Sequence, residues 1–453
     1  MAARLRRKHE ANCETALDAT QGSTMSGEHV SNAMPALGKS VWMLCIALFL
    51  VAYAAQTVSP VMLFYTIDLQ LSTTDLTLFF TVYAVGLMIA FLVGGPQSDR
   101  RGRKSIVLPS TVLLVLALLA LLGAALWGER MIFIARFIQG VTSGAVFSVG
   151  TVWLRELAGT RNAARASMLA GGVMAAGFAV GPFVSGALVE WAPWPRTLSF
   201  IIALIMVLVA IMILRALPET MTGYRSTRVR IGLPKGTATG FAWYLVPCGL
   251  LVYTFTMLSL IAFPLQLGKA GFVQIYFILG VSALLVQGFA ALATLWAMRL
   301  GPGHAGWMAG LCGALGCALG YLAVQPGNWL WVIPASAVIG LANGLSIAAG
   351  VTVSDMLAPA DQRGALISLF YVVVYAGYSS PTVLSLIWGS RTMEKGSTIV
   401  ALGMVAVVIM AILASAGRRV IFRQNTGSSQ VPPFAPRISG GTANKFNEVN
   451  ELR

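Results

Sequence analysis

The chain has 453 residues, of which 57% are hydrophobic and only 10% charged, with a mean hydropathy of +0.78 and a net charge of +15. Soluble domains carry about 25% charged residues; so few charges cannot solvate the surface of a chain this long, which excludes a soluble globular protein and calls for a bilayer. The cations sit in loops and tails, so the positive balance reflects membrane insertion and not nucleic-acid binding.

Residues 1–40 are polar, with Arg4, Arg6, Arg7 and Lys8 near the start. A secretory signal would place a short apolar core directly after such charges; here the first apolar run is full length and begins near residue 41. The segment reads as a disordered cytoplasmic tail. Twelve apolar runs follow, at about 41–63, 76–96, 105–127, 131–154, 166–190, 197–216, 241–263, 273–298, 305–325, 329–354, 365–388 and 397–417. Each approaches the roughly 20 residues needed to cross a bilayer as a helix. The longer polar stretch 217–240, with Arg225, Arg228, Arg230 and Lys235, divides them six and six. The expected fold is therefore an all-α membrane protein of twelve transmembrane helices. It has a bundle over 41–216, a basic linker over 217–240, a bundle over 241–417 and a disordered cytoplasmic tail over 418–453.

An even number of spans puts both tails on one side. That side holds 25 of the 31 lysines and arginines, which places both termini in the cytoplasm by the positive-inside bias. Trp42, Trp127, Trp153, Trp191, Trp194, Trp243, Trp329, Trp331 and Trp388 fall near span ends, where amphipathic rings favour the interface. The five cysteines form no CxxC pair and the three histidines lie in tails or a loop. No cofactor or metal is expected.

Gly95 to Lys104, between the second and third runs, packs one carboxylate, four cations and three helix breakers into ten residues. Composition alone makes it a topogenic basic turn. The two halves also echo one another. Gly140 and Gly340, Gly144 and Gly344, and Gly177 and Gly377 are each 200 residues apart, and Pro182 and Pro381 are 199 apart. A common offset within a six-plus-six layout indicates a parallel duplication with the substrate path between the halves. The counterpart of the basic turn, near Met298 to Gly301, has lost the acid and most of the cations.

Gly95-x-x-x-Asp99-Arg100-x-Gly102-Arg103-Lys104 resembles the signature of the major facilitator superfamily between its second and third helices. Arg136-x-x-Gln139-Gly140-x-x-x-Gly144-Ala145 resembles its fourth-helix motif, and Gly177-x-x-x-Gly181-Pro182-x-x-Ser185-Gly186 the fifth-helix motif of its antiporters. The resemblance covers 41–417 and neither tail. Ser185 stands where a second glycine is usual, and Met168 replaces a further one. The resemblance implies two pseudo-symmetric six-helix bundles and secondary active transport of a small molecule. It also implies a latch in which Asp99 meets the start of the eleventh span and Arg103 meets an acid, here Glu156. For Arg136 it implies proton coupling, and for spans 1, 4, 7 and 10 the lining of the path.

Read physically, Gly140, Gly144, Gly177, Gly181 and Gly186 let helix backbones approach closely, while Pro182 and Pro381 are candidate kinks that let the halves rock. Arg136 is the one cation inside a span, and such a residue faces a partner or a cavity. Gln56 lies at a similar depth, so a Gln56–Arg136 hydrogen bond is expected beside the path. Polar and aromatic residues expected along that path are Tyr53, Gln139, Tyr253, Thr256, Asn343, Tyr371 and Tyr375. They are too few for a sugar or peptide site, so an apolar or amphipathic, drug-like compound fits best. No Asp, Glu or His lies mid-span. A proton-driven carrier would then use a peripheral acid, with Glu190 and Asp68 as candidates. The leading expectation is proton-coupled efflux by a monomer. An uptake permease or facilitator, and a transport-inactive receptor or scaffold, stand as alternatives. With no paired carboxylates or His-based constellation in the core, an enzyme is not expected.

Overall fold

The computed structural model describes residues 37–124, 128–221, 232–234, 236–359, 362–389 and 391–425. Trp127 and the linker cations Arg225, Arg228, Arg230 and Lys235 lie outside them. The described residues from Gly38 onward form one compact unit, and every regular element among them is helical. Eleven stretches among them are long and apolar enough to cross a membrane.

In chain order these are α1 (Lys39–Asp68), α2 (Thr73–Arg101), α3 (Lys104–Leu122), the 63-residue run Glu129–Trp191, α6 (Leu198–Ala216), α7 (Ala238–Lys269), α8 (Ile275–Leu300), α9 (Pro302–Ala323), α10 (Trp329–Leu357), α11 (Arg363–Trp388) and α12 (Gly396–Asn425). The expected fourth and fifth spans are thus continuous in hydrogen bonding. A straight helix of that length would be about 95 Å long, three times a hydrocarbon core. Gly159 breaks it, with φ 74° and ψ 168°, a left-handed conformation that favours glycine. Its two arms, 129–158 and 160–191, are α4 and α5. At the other end of the chain, α12 stays helical to Asn425, eight residues past the expected end of the last span at 417.

The duplication is visible in packing. Glycines on α4 lie against the backbone of α2: a β-carbon at Gly144 would sit 2.8 Å from Ala90 Cβ and 3.0 Å from the Leu87 carbonyl oxygen. Gly340 and Gly344 on α10 do the same to Val286 and Ala290 of α8. Gly177 and Gly181 sit on Phe49 and Tyr53 of α1, and Gly377 sits on Leu250 and Thr254 of α7. Lipid tails give helices no hydrophobic reason to associate with each other, so close van der Waals packing at small residues carries much of the assembly. The same exchange links the halves, where Gly186 of α5 meets the Tyr276 carbonyl and Gly280 of α8 meets the Pro182 carbonyl.

Prolines shape α1 and α7. Pro60 cannot donate to the Gln56 carbonyl, and α1 is interrupted at Thr57 between Lys39–Gln56 and Val58–Asp68. In α7 the π-helical segments Phe241–Leu245 and Leu258–Ala262 include the residues four before Pro247 and Pro264, whose carbonyls lose their usual donors. Around Pro182 the chain keeps helical dihedrals, and its carbonyl serves as a packing surface for Gly280. Its partner Pro381 follows a 3₁₀ turn, Gly377–Ser379. The helix is therefore locally irregular within α11 but not within α5.

These contacts predict that Gly144→Val lowers stability by about 1–3 kcal/mol through overpacking. Gly171→Val, where a β-carbon meets nothing within 4 Å, should be tolerated. Thermal unfolding of the two purified variants in detergent checks the contrast.

Candidate functional site

The basic turn folds into a clamp. Gly102 has φ 95° and ends α2, so Arg103 turns back over it. The Arg103 guanidinium pairs with Asp99 at 2.6 Å and with Glu156 of α4 at 2.8 Å. It also donates to the Ser98 hydroxyl at 2.5 Å, and that hydroxyl donates to the Gly95 carbonyl at 2.8 Å. Burial pushes the Arg103 pKa down, but the hydrogen bonds and charges of Glu156 and Asp99 outweigh it and leave the group raised. Arg103 is 5% exposed, so its charge is held by partners and not by water.

A partner absent from the sequence expectations completes the clamp. Glu219, just past α6, accepts from the backbone N–H groups of Arg103 and Lys104, both at 2.9 Å, and so caps the start of α3. Any side chain at Gly102 would collide with this carboxylate. Lys104 Nζ donates to the carbonyls of Arg215 and Leu217 at 2.7 and 2.8 Å, and Thr220 donates to Glu156 at 2.5 Å. Arg100 is exposed. Among the described residues, the ion pair formed by Asp99 is not with the start of α11. Asp99 turns to Arg103, four residues along its own turn, and Arg363 at the α11 start pairs with Asp355 at 3.6 Å. All these clamp contacts fall within the first half of the chain. Trp153 is likewise no interface anchor; it is fully buried and donates to the Pro218 carbonyl at 3.3 Å.

Deeper in the bundle, Arg136 is 1% exposed. Its Nε donates to the Phe79 carbonyl at 3.1 Å and Nη1 to Gln139 Oε1 at 2.5 Å, with the guanidinium 4.3 Å from the Tyr83 ring centre and 5.6 Å from that of Phe80. Gln139 in turn donates to the Ala54 carbonyl of α1 at 3.3 Å. The expected Gln56–Arg136 bond is therefore replaced. Gln139, one turn away on the same helix, satisfies the guanidinium, and Gln56 instead donates to the Tyr378 hydroxyl at 3.1 Å and accepts from Ser59. The second half repeats the device: Asn343 of α10 donates to the Val252 carbonyl of α7 at 3.3 Å and to Thr256 at 2.9 Å.

Between the halves lies a run of rings. Tyr253 stacks on Tyr375 with centroids 5.4 Å apart and meets Tyr378 at 4.1 Å. Tyr83 sits edge-on to Tyr378 at 6.4 Å, and Phe91 contacts Tyr371 at 5.5 Å and Tyr375 at 5.2 Å. The structure thus brings Tyr253, Tyr371 and Tyr375 together and adds Tyr83, Phe91 and Tyr378. Tyr53 is buried beside α5 at Gly181 and is not one of the stacked rings. A signal for Tyr378 was present, because 371, 375 and 378 share one helical face.

At the end of the bundle away from the clamp, the halves are bolted together. Glu190 near the end of α5 accepts from the N–H groups of Tyr276 and Phe277 at the start of α8, at 3.2 and 3.4 Å. Phe183 and Trp191 pack on Phe277, and Phe64 on Tyr276. Asp68 is held by Arg196 at 2.6 Å, and Thr81 and Thr382 share a hydrogen bond of 2.7 Å.

The architecture defines an all-α membrane protein of two repeated halves, joined by aromatic rings in the middle and a carboxylate bolt at one end. The Major Facilitator Superfamily model matches residues 44–381, and the chain belongs to that superfamily, a family of transporters. The Multidrug resistance protein MdtL of Shewanella sp. (strain ANA-3) is 31% identical over 153 residues, 33% of this chain and 38% of the relative. MdtL of Escherichia coli (strain K12 / DH10B) is 29% identical over 154 residues, again 38% of the relative. The match thus spans well under half the length of these relatives. Among solved structures, a D-xylose–proton symporter aligns with a TM-score of 0.64 at 16% identity, over 82% of this chain and 96% of that one. A peptide transporter, POT, aligns with 0.63 at 13% identity, over 84% and 95%. These two likenesses are of fold.

A double-mutant cycle on Arg103→Ala and Glu156→Ala should give a coupling of about 1–2 kcal/mol in unfolding free energy, the bidentate geometry being discounted for the 30% exposure of Glu156. Additive single effects would mean the pair contributes nothing to holding the turn.

Proposed function

We propose that this protein is a secondary active transporter that exports apolar or amphipathic, drug-like small molecules by alternating access, driven by the proton gradient. It acts as a monomer in the plasma or inner membrane with both termini cytoplasmic. The observation that carries the reading is the bolt at Glu190. One carboxylate of the first half holds the first turn of a helix of the second, and a bond of this kind can be made and broken in each cycle. Resemblance to the multidrug resistance protein MdtL over about a third of the chain supports the cargo class. The positive-inside bias supports the orientation, which puts the clamp in the cytoplasm and the bolt outside.

The coupling follows from the chemistry of the bolt. An ionised carboxylate accepts two N–H groups and complements the positive end of the α8 dipole; protonation removes the charge and turns one oxygen into a donor. Acid outside therefore loosens the bolt and favours outward opening, and loss of the proton re-forms it; coupling to the gradient requires in addition that this proton leave toward the cytoplasm once the halves have rocked inward. Beyond the two N–H groups, the Tyr276 phenol lies near Glu190 and also near Asp68, itself paired with Arg196.

Glu190→Gln keeps the shape but not the charge. In proteoliposomes it should retain downhill exchange while losing at least tenfold of pH-gradient-driven uphill transport and the acceleration of exchange at acid outer pH. Unaltered gradient-driven transport by Glu190→Gln would rule this carboxylate out as the coupling group. A screen of drug-like compounds in inside-out vesicles of an efflux-deficient host tests export itself, and accumulation in whole cells would show the direction to be reversed.

A further inference from the structure

The charge and shape of the cargo can be read more closely, on the assumption that the protein is the transporter proposed above. The ring run from Tyr83 to Phe91 spans eight residues of α2, about 12 Å at helical rise. Rings from both halves build it: Tyr83 and Phe91 from the first, Tyr253, Tyr371, Tyr375 and Tyr378 from the second. In this structure the rings fill the space with one another. Tyr375 and Tyr378 are buried, while Phe91 and Tyr371 at one edge are half-buried. When the halves part, the ring faces lose their partners, and a flat aromatic body is the shape that replaces them with least loss.

The electrostatics at the other edge are one-sided. Arg136 lies against Tyr83 and is satisfied by a carbonyl, an amide oxygen and ring faces, with no carboxylate paired to it among the described residues. No acid lies mid-span anywhere in the chain, so no anion offsets the fixed charge for a cargo. The hydroxyls of Tyr83 and Ser143, both buried, face one another. A cation placed on these rings would gain from their faces but would sit in a poorly screened site beside a like charge. An anion or a neutral acceptor faces a cation and a hydroxyl pair that can turn a donor toward it instead.

We infer that the cargo is a planar aromatic compound that is anionic or neutral, with its ring between the Tyr253–Tyr375 face and Phe91 and its acceptor group toward Tyr83, Ser143 and the charge of Arg136. The site accordingly discriminates against aromatic cations. Nothing in the drug-efflux reading alone dictates this preference.

The test uses the full chain in nanodiscs and three probes on one skeleton: 2-naphthoate, 2-naphthamide and 2-naphthyltrimethylammonium. Titration calorimetry should give dissociation constants for the naphthoate or the naphthamide at least tenfold below that of the ammonium compound. Tyr375→Ala should weaken the favoured probe at least fivefold in protein that still elutes as a single folded species. Arg136→Gln should erase the preference for naphthoate over the ammonium compound. Should Arg136→Gln fail to fold, the wild-type series still decides. Equal or tighter binding of the ammonium compound overturns the inference, as does failure of all three to bind. Either result leaves the transporter reading standing if export of other compounds is measured in inside-out vesicles; absence of export of any compound there removes both.

Discussion

The structure depends on backbones that touch. In each half, α4 lies on α2 and α10 on α8 through paired glycines whose β-carbons would strike carbonyl oxygens or side chains of the neighbouring helix. Water supplies no hydrophobic pressure between helices inside a bilayer, so contact area at short range carries the association. Once those backbones are in contact, the amides of Gln139 and Asn343 reach carbonyls on α1 and α7. Arg136 can then be satisfied by the Phe79 carbonyl across the same contact. Wider spacing would leave these polar groups facing hydrocarbon, where each unsatisfied group costs several kcal/mol. Close packing and polar satisfaction are the same constraint seen twice.

The repeated architecture carries devices that are not repeated. The clamp around Arg103 uses Asp99, Glu156 and Glu219, and it ties the α2–α3 turn to α4 and to the segment after α6. At the equivalent turn of the second half, Gly301 keeps a positive φ of 72°, but the acid and most cations are gone. The positive φ is one that favours glycine, so the turn keeps its backbone while its charges differ between the halves. One half is thus a stiffened body at its clamp end, and the carboxylate of Glu190 joins it to the other at the opposite end. Stiffness at one end and a breakable bond at the other suit a rocking motion between two bodies.

Much of this was legible in the chain, and the boundary has a physical cause. The membrane-spanning character and placement of the apolar runs follow from composition and length, because a bilayer fixes both; among the described residues eleven helical stretches stand against twelve apolar runs, Gly159 lying inside one of them. The glycine offset of 200 residues showed the duplication because close packing tolerates few substitutes. The Arg103–Glu156 pair could be expected from a motif, but Glu219 could not: it lies 116 residues along the chain, after a span, in a stretch whose composition reads only as linker. Gln56 was misassigned for a related reason. Depth along a helix can be counted from sequence, whereas the face it presents depends on rotation, and the Gln56 amide faces Tyr378 in the other half. The turn between α4 and α5 was placed only loosely by the charges Arg155 to Arg165; it falls at Gly159, where the backbone leaves the helical region.

A buried arginine without a mid-span acid constrains any mechanism. Arginine does not deprotonate in proteins, so Arg136 cannot itself be the proton carrier; its charge is constant through the cycle. What it can do is fix the potential felt by whatever sits on the rings beside it. Under the proposed coupling the variable charge would lie elsewhere, at the bolt, where a proton arrives from the outer solution without crossing hydrocarbon. The proton would thus act on the gate and not on the binding site. Cargo and proton need not compete for one residue, and their coupling would run through the relative position of the two halves. Such a division would suit a chain that carries the superfamily's clamp and helix motifs and yet keeps its central rings free of carboxylates.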